Sequence, residues 1–260
     1  MNPRRKIVVA GATGRVGRHV VDVLEERGHD VVGISRSLGA DVVTGEGLAQ
    51  ALAGVESVID AASWPTPDQE AATEFFTTAS RNLHEVGEQA GVGRIVVVSI
   101  IGIDRFTAGY LAAKRTHEQA MLAGPIPVRI LRAAQFHEFV EPVVDWGRNG
   151  EASYVLPMRT QLVAARTVAE ALADLALTNG SEPAPGSRIP EIAGPREENL
   201  VDVARLLAAR RGDSIRIEPV RDPADPDRDL YEAGALLPGP TATLAGPTFE
   251  EWLDSTSSER

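Results

Sequence analysis

The sequence predicts an α/β fold, namely a doubly wound parallel Rossmann-type sheet. A short apolar, β-branched run, Lys6–Ala10, is followed at fixed spacing by Gly11, Gly14 and Gly17. A helical pattern begins directly after these glycines, and strand-like and helix-like segments then alternate along the chain. Alternation of this kind is typical of a parallel sheet covered by helices on both faces.

The glycine-rich turn predicts a site for the pyrophosphate of a dinucleotide. A strand, a glycine turn and a helix N-terminus in this order place unpaired N–H groups at the positive end of a helix dipole. Gly11 allows the tight turn, Gly14 lets the backbone approach a phosphate, and Gly17 lets helix and strand pack closely. The alternative is a plain glycine-rich turn without a ligand.

The end of the second predicted strand, Asp30–Ser35, bears on the choice of cofactor. In this fold an acidic residue at that position commonly binds the ribose 2′-hydroxyl of NAD. Here the chain continues with Arg36 and Ser37, and no acid is present. Because a guanidinium suits a 2′-phosphate, we expect NADP rather than NAD, with Arg36 as the main contact. The alternative is that Arg36 is a solvated loop charge.

Hydrophobic periodicity and breaker residues predict the remaining elements of the first half. They are helices over Arg15–Arg27, Leu48–Leu52, Gln69–Ala90 and Thr107–Leu122, and strands over Glu56–Ala62, Arg94–Ile100 and Pro127–Leu131. The segment after Arg36 is too short for a crossover helix. We therefore expect either a very short third strand near Ala40–Val43 or an abbreviated sheet edge.

The C-terminal half is less regular. The expected helices are Gln135–Trp146, Arg166–Leu177 and Asn199–Arg211, with a last one started by the capping box Thr248–Glu251, and the expected strands are Ser153–Leu156 and Ile189–Ala193. No linker separates independent domains, so we expect a single unit over residues 1–260.

Composition excludes several classes of function. The 260 residues carry a formal net charge of −11, which disfavours nucleic-acid and anionic-membrane binding. The chain has no cysteine, so a thiolate nucleophile is excluded, and the five histidines are not spaced as a metal site. The first strand follows the N-terminus closely, without an apolar signal region, and we expect a cytoplasmic protein with no metal.

A candidate catalytic group follows the central strand. Tyr110 and Lys114 are four residues apart and share one helix face, and Ser99 lies at the carboxyl end of the strand before them. Reduction of a carbonyl creates an alkoxide that needs a proton, and an ammonium near a tyrosine lowers the phenol pKa from about 10 towards neutrality. Lys114 would also bind the cofactor ribose, and Ser99 would polarise the carbonyl. His117, on the same helix face, would extend a proton relay or be a partly exposed surface group.

Together these motifs resemble the short-chain dehydrogenase/reductase superfamily, and within it the atypical NmrA-like NAD(P)-binding group. The features that carry the resemblance are Gly11–Gly17, the run Arg81-Asn82-Leu83 leading to Ala90-Gly91-Val92 before Arg94–Ser99, and Leu131-Arg132-Ala133-Ala134-Gln135-Phe136. The resemblance covers roughly residues 5–210. It implies a Rossmann-type sheet with a core over about 5–134 and a small C-terminal α/β substrate lobe built mainly from 135–260.

The resemblance implies an NADP(H)-dependent oxidoreductase that transfers hydride to or from a small carbonyl or alcohol, with Tyr110, Lys114 and Ser99 as catalytic residues. The expected cofactor contacts are Gly11, Ala12, Thr13, Gly14, Arg15, Val16, Gly17, Ser35, Arg36, Asp41, Ala61, Ala62 and Lys114. It implies a monomer or homodimer. The alternative function is a non-catalytic NADP(H)-sensing regulator that acts through a protein partner. Isomerase or dehydratase chemistry with bound cofactor would use the same residues.

Overall fold

The computed structural model describes residues 3–179 and 186–257, which divide into two compact units. Unit 1 comprises residues 3–99, 109–132, 168–179 and 186–190, and unit 2 comprises 100–108, 133–167 and 191–257. Residues 180–185 and 258–260, which belong to the expected C-terminal lobe, lie outside the described residues.

The helices alternate with strands through the first half of the chain, as expected. The helices are α1 (Gly17–Glu26), α2 (Leu48–Leu52), α3 (Gln69–Ala90), α4 (Gly109–Leu122), α5 (Val140–Trp146), α6 (Ala165–Leu177), α7 (Leu200–Arg210), α8 (Arg228–Glu232) and α9 (Phe249–Ser257). The strands are β1 (Lys6–Ala10), β2 (Asp30–Ile34), β3 (Ser57–Asp60), β4 (Arg94–Ile100), β5 (Val128–Ala133), β6 (Arg148–Asn149), β7 (Ala152–Val155), β8 (Arg159–Thr160), β9 (Glu191–Ala193), β10 (Glu198–Asn199), β11 (Arg216–Pro219) and β12 (Thr243–Leu244).

In unit 1 the strands lie in the order β5-β4-β3-β1-β2. β1 pairs in parallel with β2 and with β3, and β3 pairs in parallel with β4. The chain moves from β1 to one side to form β2 and then to the other side to form β3, so the direction reverses at the carboxyl ends of β1 and β3. Ligands of open α/β sheets bind at such a reversal. The predicted Rossmann-type fold is confirmed.

The segment between β2 and α2 settles which of the two expected edges is present. It contains a 3₁₀ turn, Arg36–Leu38, and a hydrogen-bonded turn rather than a strand at Ala40–Val43. The Asp41 carboxylate accepts hydrogen bonds from the N–H groups of Val43 at 2.7 Å and Thr44 at 3.4 Å, which holds this turn. The sheet edge is therefore abbreviated, and the alternative of a short third strand is wrong.

Helices α3 and α4 pack against each other in unit 1. Asp68 starts α3, because its side chain accepts from the N–H groups of Glu70 and Ala71 at 2.9 and 3.1 Å. Gly91, at φ 77°, ends the helix in the left-handed conformation that favours glycine. Phe76 of α3 and Ala113 of α4 belong to one buried cluster against which Tyr110 packs.

Unit 2 contains a small three-stranded sheet in the order β11-β7-β6, in which β7 is parallel to β11 and antiparallel to β6. Its buried Asp227 accepts hydrogen bonds from Thr107 and Ala108 N–H at 2.6 and 2.9 Å. Helix α4 begins at Gly109, two residues after the predicted Thr107. The predicted capping box is confirmed, since Thr248 and Glu251 exchange hydrogen bonds between side chain and N–H at 2.9 and 3.3 Å.

The other predicted elements of the second half are present with shifted boundaries; α6, for example, begins one residue before the predicted Arg166. The expected helix Gln135–Trp146 is a 3₁₀ turn, His137–Phe139, followed by α5. Over residues 3–179 and 186–257, no helix combines the length and the apolar character needed to cross a membrane.

Candidate cofactor and active site

The glycine turn leaves β1 at the reversal point of the sheet. Gly11 has φ 74°, and a Cβ there would lie 2.6 Å from Ala61 O, so both backbone and space require glycine. A Cβ on Gly17 would lie 2.0 Å from Gly11 O, which confirms its expected role in close packing. At Gly14 a Cβ would meet only Gly11 O, at 3.0 Å. Gly14 is thus the member of the motif that the chain's own packing requires least.

The outer side of this turn fits a phosphate group. The Gly14 N–H closes the turn on Gly11 O at 2.8 Å, and α1 begins at Gly17. Within the described part of the chain, the N–H groups of Thr13, Arg15 and Val16 have no backbone acceptor. Unpaired N–H groups at a helix N-terminus bind anions. Thr13 and Arg15 are exposed, whereas Ala12 and Val16 are buried and contribute backbone only.

The loop after β2 lies beside the turn, because Ile34 O accepts from the N–H groups of Gly11 and Ala12 at 2.9 and 3.2 Å. Arg36 is exposed, and the described residues offer it no ion-pair partner. Ser35 Oγ and Ser37 Oγ are 3.0 Å apart. Arg36, the predicted contact of the 2′-phosphate, therefore lies at one end of the loop with the hydroxyls of Ser35 and Ser37.

Two further residues near this loop have structural partners. Asp41, a predicted cofactor contact, uses its carboxylate to hold its own turn. The Asn82 amide donates to Val42 O at 2.9 Å and to Val43 O at 2.7 Å, and so fixes the same turn to α3.

Tyr110 lies in the first turn of α4 and directs its hydroxyl towards the loop after β3. Its Oη is 2.7 Å from Ser63 Oγ, and its ring lies 5.8 Å from the ring of Phe76. Burial raises the pKa of Tyr110 above its ordinary value, the hydrogen bond to Ser63 opposes this, and Asp60 adds to it. The expectation that the pKa would be lowered is wrong for this structure.

The reason lies in the direction of Lys114. Its Nζ donates to Val98 O at 2.9 Å, lies 2.9 Å from His117 Nδ1, and stands 4.7 Å from the centroid of the Phe76 ring. The residue is only 4% exposed, and burial lowers the pKa of Lys114 to about 8. The ammonium therefore points into the interface of α3 and α4.

The two serines near this site, Ser99 and Ser63, differ in exposure and in hydrogen bonding. Ser99 is 2% exposed, and its Oγ has no hydrogen-bond partner within the described residues. Ser63, which sequence reasoning did not select, supplies the hydroxyl that contacts Tyr110. Trp64, next to it, is 49% exposed and lies edge-on to Phe75 with ring centroids 6.2 Å apart. The sequence feature that could have identified Ser63 is its place in the exposed loop after the third strand.

Asp60 and His117 are the other site residues that the sequence did not reveal as partners. His117 Nε2 is 3.1 Å from Asp60 Oδ2, and each side chain is 1% exposed. His117 stacks on Phe76 with centroids 4.6 Å apart. Of the two alternatives expected for His117, the partly exposed surface group is wrong. Burial, the largest effect, and the Lys114 charge lower the pKa of His117, while Asp60 raises it.

Comparisons with known proteins agree with the fold and with the glycine turn. Residues 11–178 match the model of a family described as NAD(P)H-binding. The chain is similar to the photosystem II assembly factor Ycf39 of Synechocystis sp., with 27% identity over 239 residues that cover 83% of this chain and 70% of the relative.

Two solved structures share the fold over nearly the whole chain. A short-chain dehydrogenase/reductase superfamily protein from Agrobacterium tumefaciens with bound NAD has a TM-score of 0.64 and 17% identity, covering 97% of this chain and 96% of that chain. The dTDP-4-dehydrorhamnose reductase of Bacillus anthracis in complex with NADP has a TM-score of 0.68 and 15% identity, covering 100% of both chains. At these identities the likeness concerns the fold.

Proposed function

Because the chain belongs to the NAD(P)H-binding family, we propose that it is an NADP(H)-dependent oxidoreductase of the atypical short-chain dehydrogenase type. Its substrate is a small carbonyl compound or alcohol. The match to this family supports a nicotinamide cofactor, and the resemblance to the short-chain dehydrogenase/reductase superfamily agrees with the fold of the solved structures. The choice of NADP, the reaction and the catalytic residues are the proposal.

The observation that carries the proposal is the pair of hydroxyls formed by Tyr110 and Ser63, 2.7 Å apart. Ser63 follows β3 by three residues, and β3 is one of the two strands at the reversal point of the sheet. A phenol and an alcohol in contact at this edge form a proton donor beside a group that can orient a carbonyl oxygen.

When bound, the cofactor supplies or accepts the hydride. Tyr110 Oη donates the proton that the reduced carbonyl oxygen requires, and its raised pKa keeps the phenol protonated at neutral pH. Ser63 orients the carbonyl oxygen, the role expected of Ser99. A phenol that stays protonated favours carbonyl reduction over alcohol oxidation.

The preference for NADP rests on Arg36. Its guanidinium is exposed at the end of the loop that lies beside the glycine turn, together with Ser35 and Ser37. A planar group with several N–H donors binds a phosphate through two parallel hydrogen bonds. Thr13, Arg15 and the N–H groups of the turn would hold the pyrophosphate.

Tyr110→Phe tests the mechanism. We expect kcat for reduction of a small aldehyde, ketone or quinone to fall by at least about 100-fold, because general acid catalysis is lost, while NADPH affinity by calorimetry stays nearly unchanged. Tyr154→Phe is the matched control, because Tyr154 is exposed in unit 2. Full activity of Tyr110→Phe would refute the assignment.

A second candidate is a non-catalytic NADP(H)-responsive regulator that acts through a protein partner. It is favoured by the burial of Ser99 and Lys114, two of the three residues expected to be catalytic. A difference in hydrogen exchange between the NADP and NADPH complexes, with no turnover of the carbonyl panel, would support it. Turnover that depends on Tyr110 would exclude it.

A further inference from the structure

One helical turn after Tyr110, a chain of three titratable side chains begins at Lys114 and crosses the interior of unit 1 from α4 to the end of β3. We propose that Asp60 and His117 form a clamp that holds the Lys114 ammonium fixed and charged one helical turn from Tyr110, and that both are positioning residues. The proposal rests on the function proposed above, which assigns the reaction to Tyr110.

The contacts form an unbroken path. Lys114 Nζ is 2.9 Å from His117 Nδ1, and His117 Nε2 is 3.1 Å from Asp60 Oδ2. The other carboxylate oxygen of Asp60 accepts the Ala62 N–H at 3.0 Å. Phe76 covers the path, with its ring stacked on His117 and in contact with the Lys114 ammonium.

The protonation of His117 follows from that of Lys114, whose pKa of about 8 leaves it an ammonium at neutral pH. A lysine ammonium can only donate, so His117 Nδ1 must accept and carries no proton. The imidazole is therefore neutral, with its proton on Nε2, and it donates to the Asp60 carboxylate. The path as a whole carries one positive and one negative charge. Removal of either charge would leave the other buried without compensation.

The path ends in the interior, so it cannot carry protons to water. Lys114 is 4% exposed, and His117 and Asp60 are 1% exposed. A relay needs an exit to solvent or substrate, whereas a closed chain of this kind orients its members. Asp60 and His117 therefore act through Lys114 rather than on the reacting atoms.

The clamp also reaches the glycine turn. Asp60 holds the N–H of Ala62, and the neighbouring Ala61 O is the atom that a Cβ on Gly11 would approach to 2.6 Å. Displacement of Asp60 would thus disturb both Lys114 and the loop against which the turn packs. The clamp connects the Tyr110 helix to the predicted cofactor turn within unit 1.

Other charges near Lys114 come from its own helix and from the neighbouring strand β5. Glu118 raises the pKa of Lys114, as Asp60 does. Glu118 is itself paired with Arg132, with contacts of 2.9 and 2.7 Å. Because Glu118 is paired, replacement of Asp60 is the cleaner perturbation.

The first test measures the pKa of Lys114 and does not require the protein to turn over a substrate. The chain has two lysines, Lys6 and Lys114, so lysine-labelled NMR on a Lys6→Arg background reports Lys114 alone. We expect the Lys114 pKa to fall by about one unit in Asp60→Asn, since a nearby opposite charge is lost. It should fall similarly in His117→Leu. His117→Gln, whose amide can both accept and donate, should stay close to the wild type.

An unchanged Lys114 pKa in both Asp60→Asn and His117→Leu would overturn the clamp, as would a His117→Gln variant that behaves like His117→Leu. If the variants fail to fold, ¹⁵N-histidine NMR of the wild type decides. An unprotonated Nδ1 on His117 supports the clamp, and a protonated Nδ1 overturns it.

The second test reads the positioning role in the reaction. In His117→Leu, which leaves in place the Asp60 charge that itself raises the pKa of Tyr110, the alkaline limit of kcat should move down by about one pH unit, because the Lys114 ammonium is lost at lower pH. An unmoved limit in an enzyme that turns over would overturn the positioning role. If no variant, the wild type included, turns over any substrate, the proposed function fails, and the NMR titration still decides the clamp.

Discussion

Burial of Lys114 should leave a signature in the pH dependence of stability. Its pKa is about 8 in the folded protein, against about 10.4 for a lysine in an unfolded chain. Between these values the unfolded state binds more protons than the folded state, so the free energy of unfolding rises with pH. Below pH 8 both states hold the proton, so the free-energy cost of burying the Lys114 charge does not change with pH.

The expected rise is about 2 kcal/mol between pH 8 and pH 10, obtained by integrating the proton difference over that window. The chain has no cysteine to titrate there, and Lys6 is the one other lysine. The raised pKa values of Tyr110 and Tyr231, the latter about 12, act in the opposite direction, but mainly above pH 10.

Urea unfolding at pH 7, 8, 9 and 10 measures this rise in the wild type and in Lys114→Met. We expect the variant to lose the rise, because no buried amine remains to be neutralised. Lys6→Met is the matched control and should keep it, and any contribution from the N-terminal amine is common to all three proteins. A wild type whose stability is flat over this window, or a Lys114→Met variant with the same rise, would show that the ammonium is not buried.

Two further changes test the cofactor site. Arg36→Ala should weaken NADPH binding by about 10- to 100-fold, as expected for loss of a hydrogen bond to a charged group. NADH binding should stay unchanged. Calorimetry that finds equal losses of affinity for both cofactors would contradict the NADP assignment. Gly17→Ala should destabilise the fold far more than Gly14→Ala, because its Cβ would lie 2.0 Å rather than 3.0 Å from Gly11 O. Gly14→Ala should instead weaken cofactor binding, and denaturant midpoints that are equal for the two variants would contradict this reading.

The sequence predicts the features of the site that depend on neighbouring residues. The glycine turn after β1 and the Tyr110–Lys114 spacing on α4 are local, and the alternation of strands and helices follows from hydrophobic periodicity. The segment after Arg36 is local too, because its length excludes a crossover helix, but the sequence does not choose between a short third strand and an abbreviated edge.

What the sequence does not reveal is the polar interior. His117 meets Asp60 across 57 residues of chain, and Tyr110 meets Ser63 across 47. No periodicity reports such a pairing. Ser99 illustrates the same limit, because a central parallel strand is buried on both faces and its pattern does not tell which face a side chain occupies.

The direction of Lys114 separates the two candidate functions in energetic terms. To bind a cofactor ribose, the ammonium would give up its hydrogen bonds to Val98 O and His117 Nδ1, which together contribute about 3–6 kcal/mol. A ligand shifts such an equilibrium only by its differential affinity for the two states. An enzyme in which Lys114 stays clamped relies on Tyr110 and Ser63 for its proton chemistry. A regulator would instead use the release of Lys114 as its response, and would then lose the rise in stability between pH 8 and pH 10 when NADPH binds.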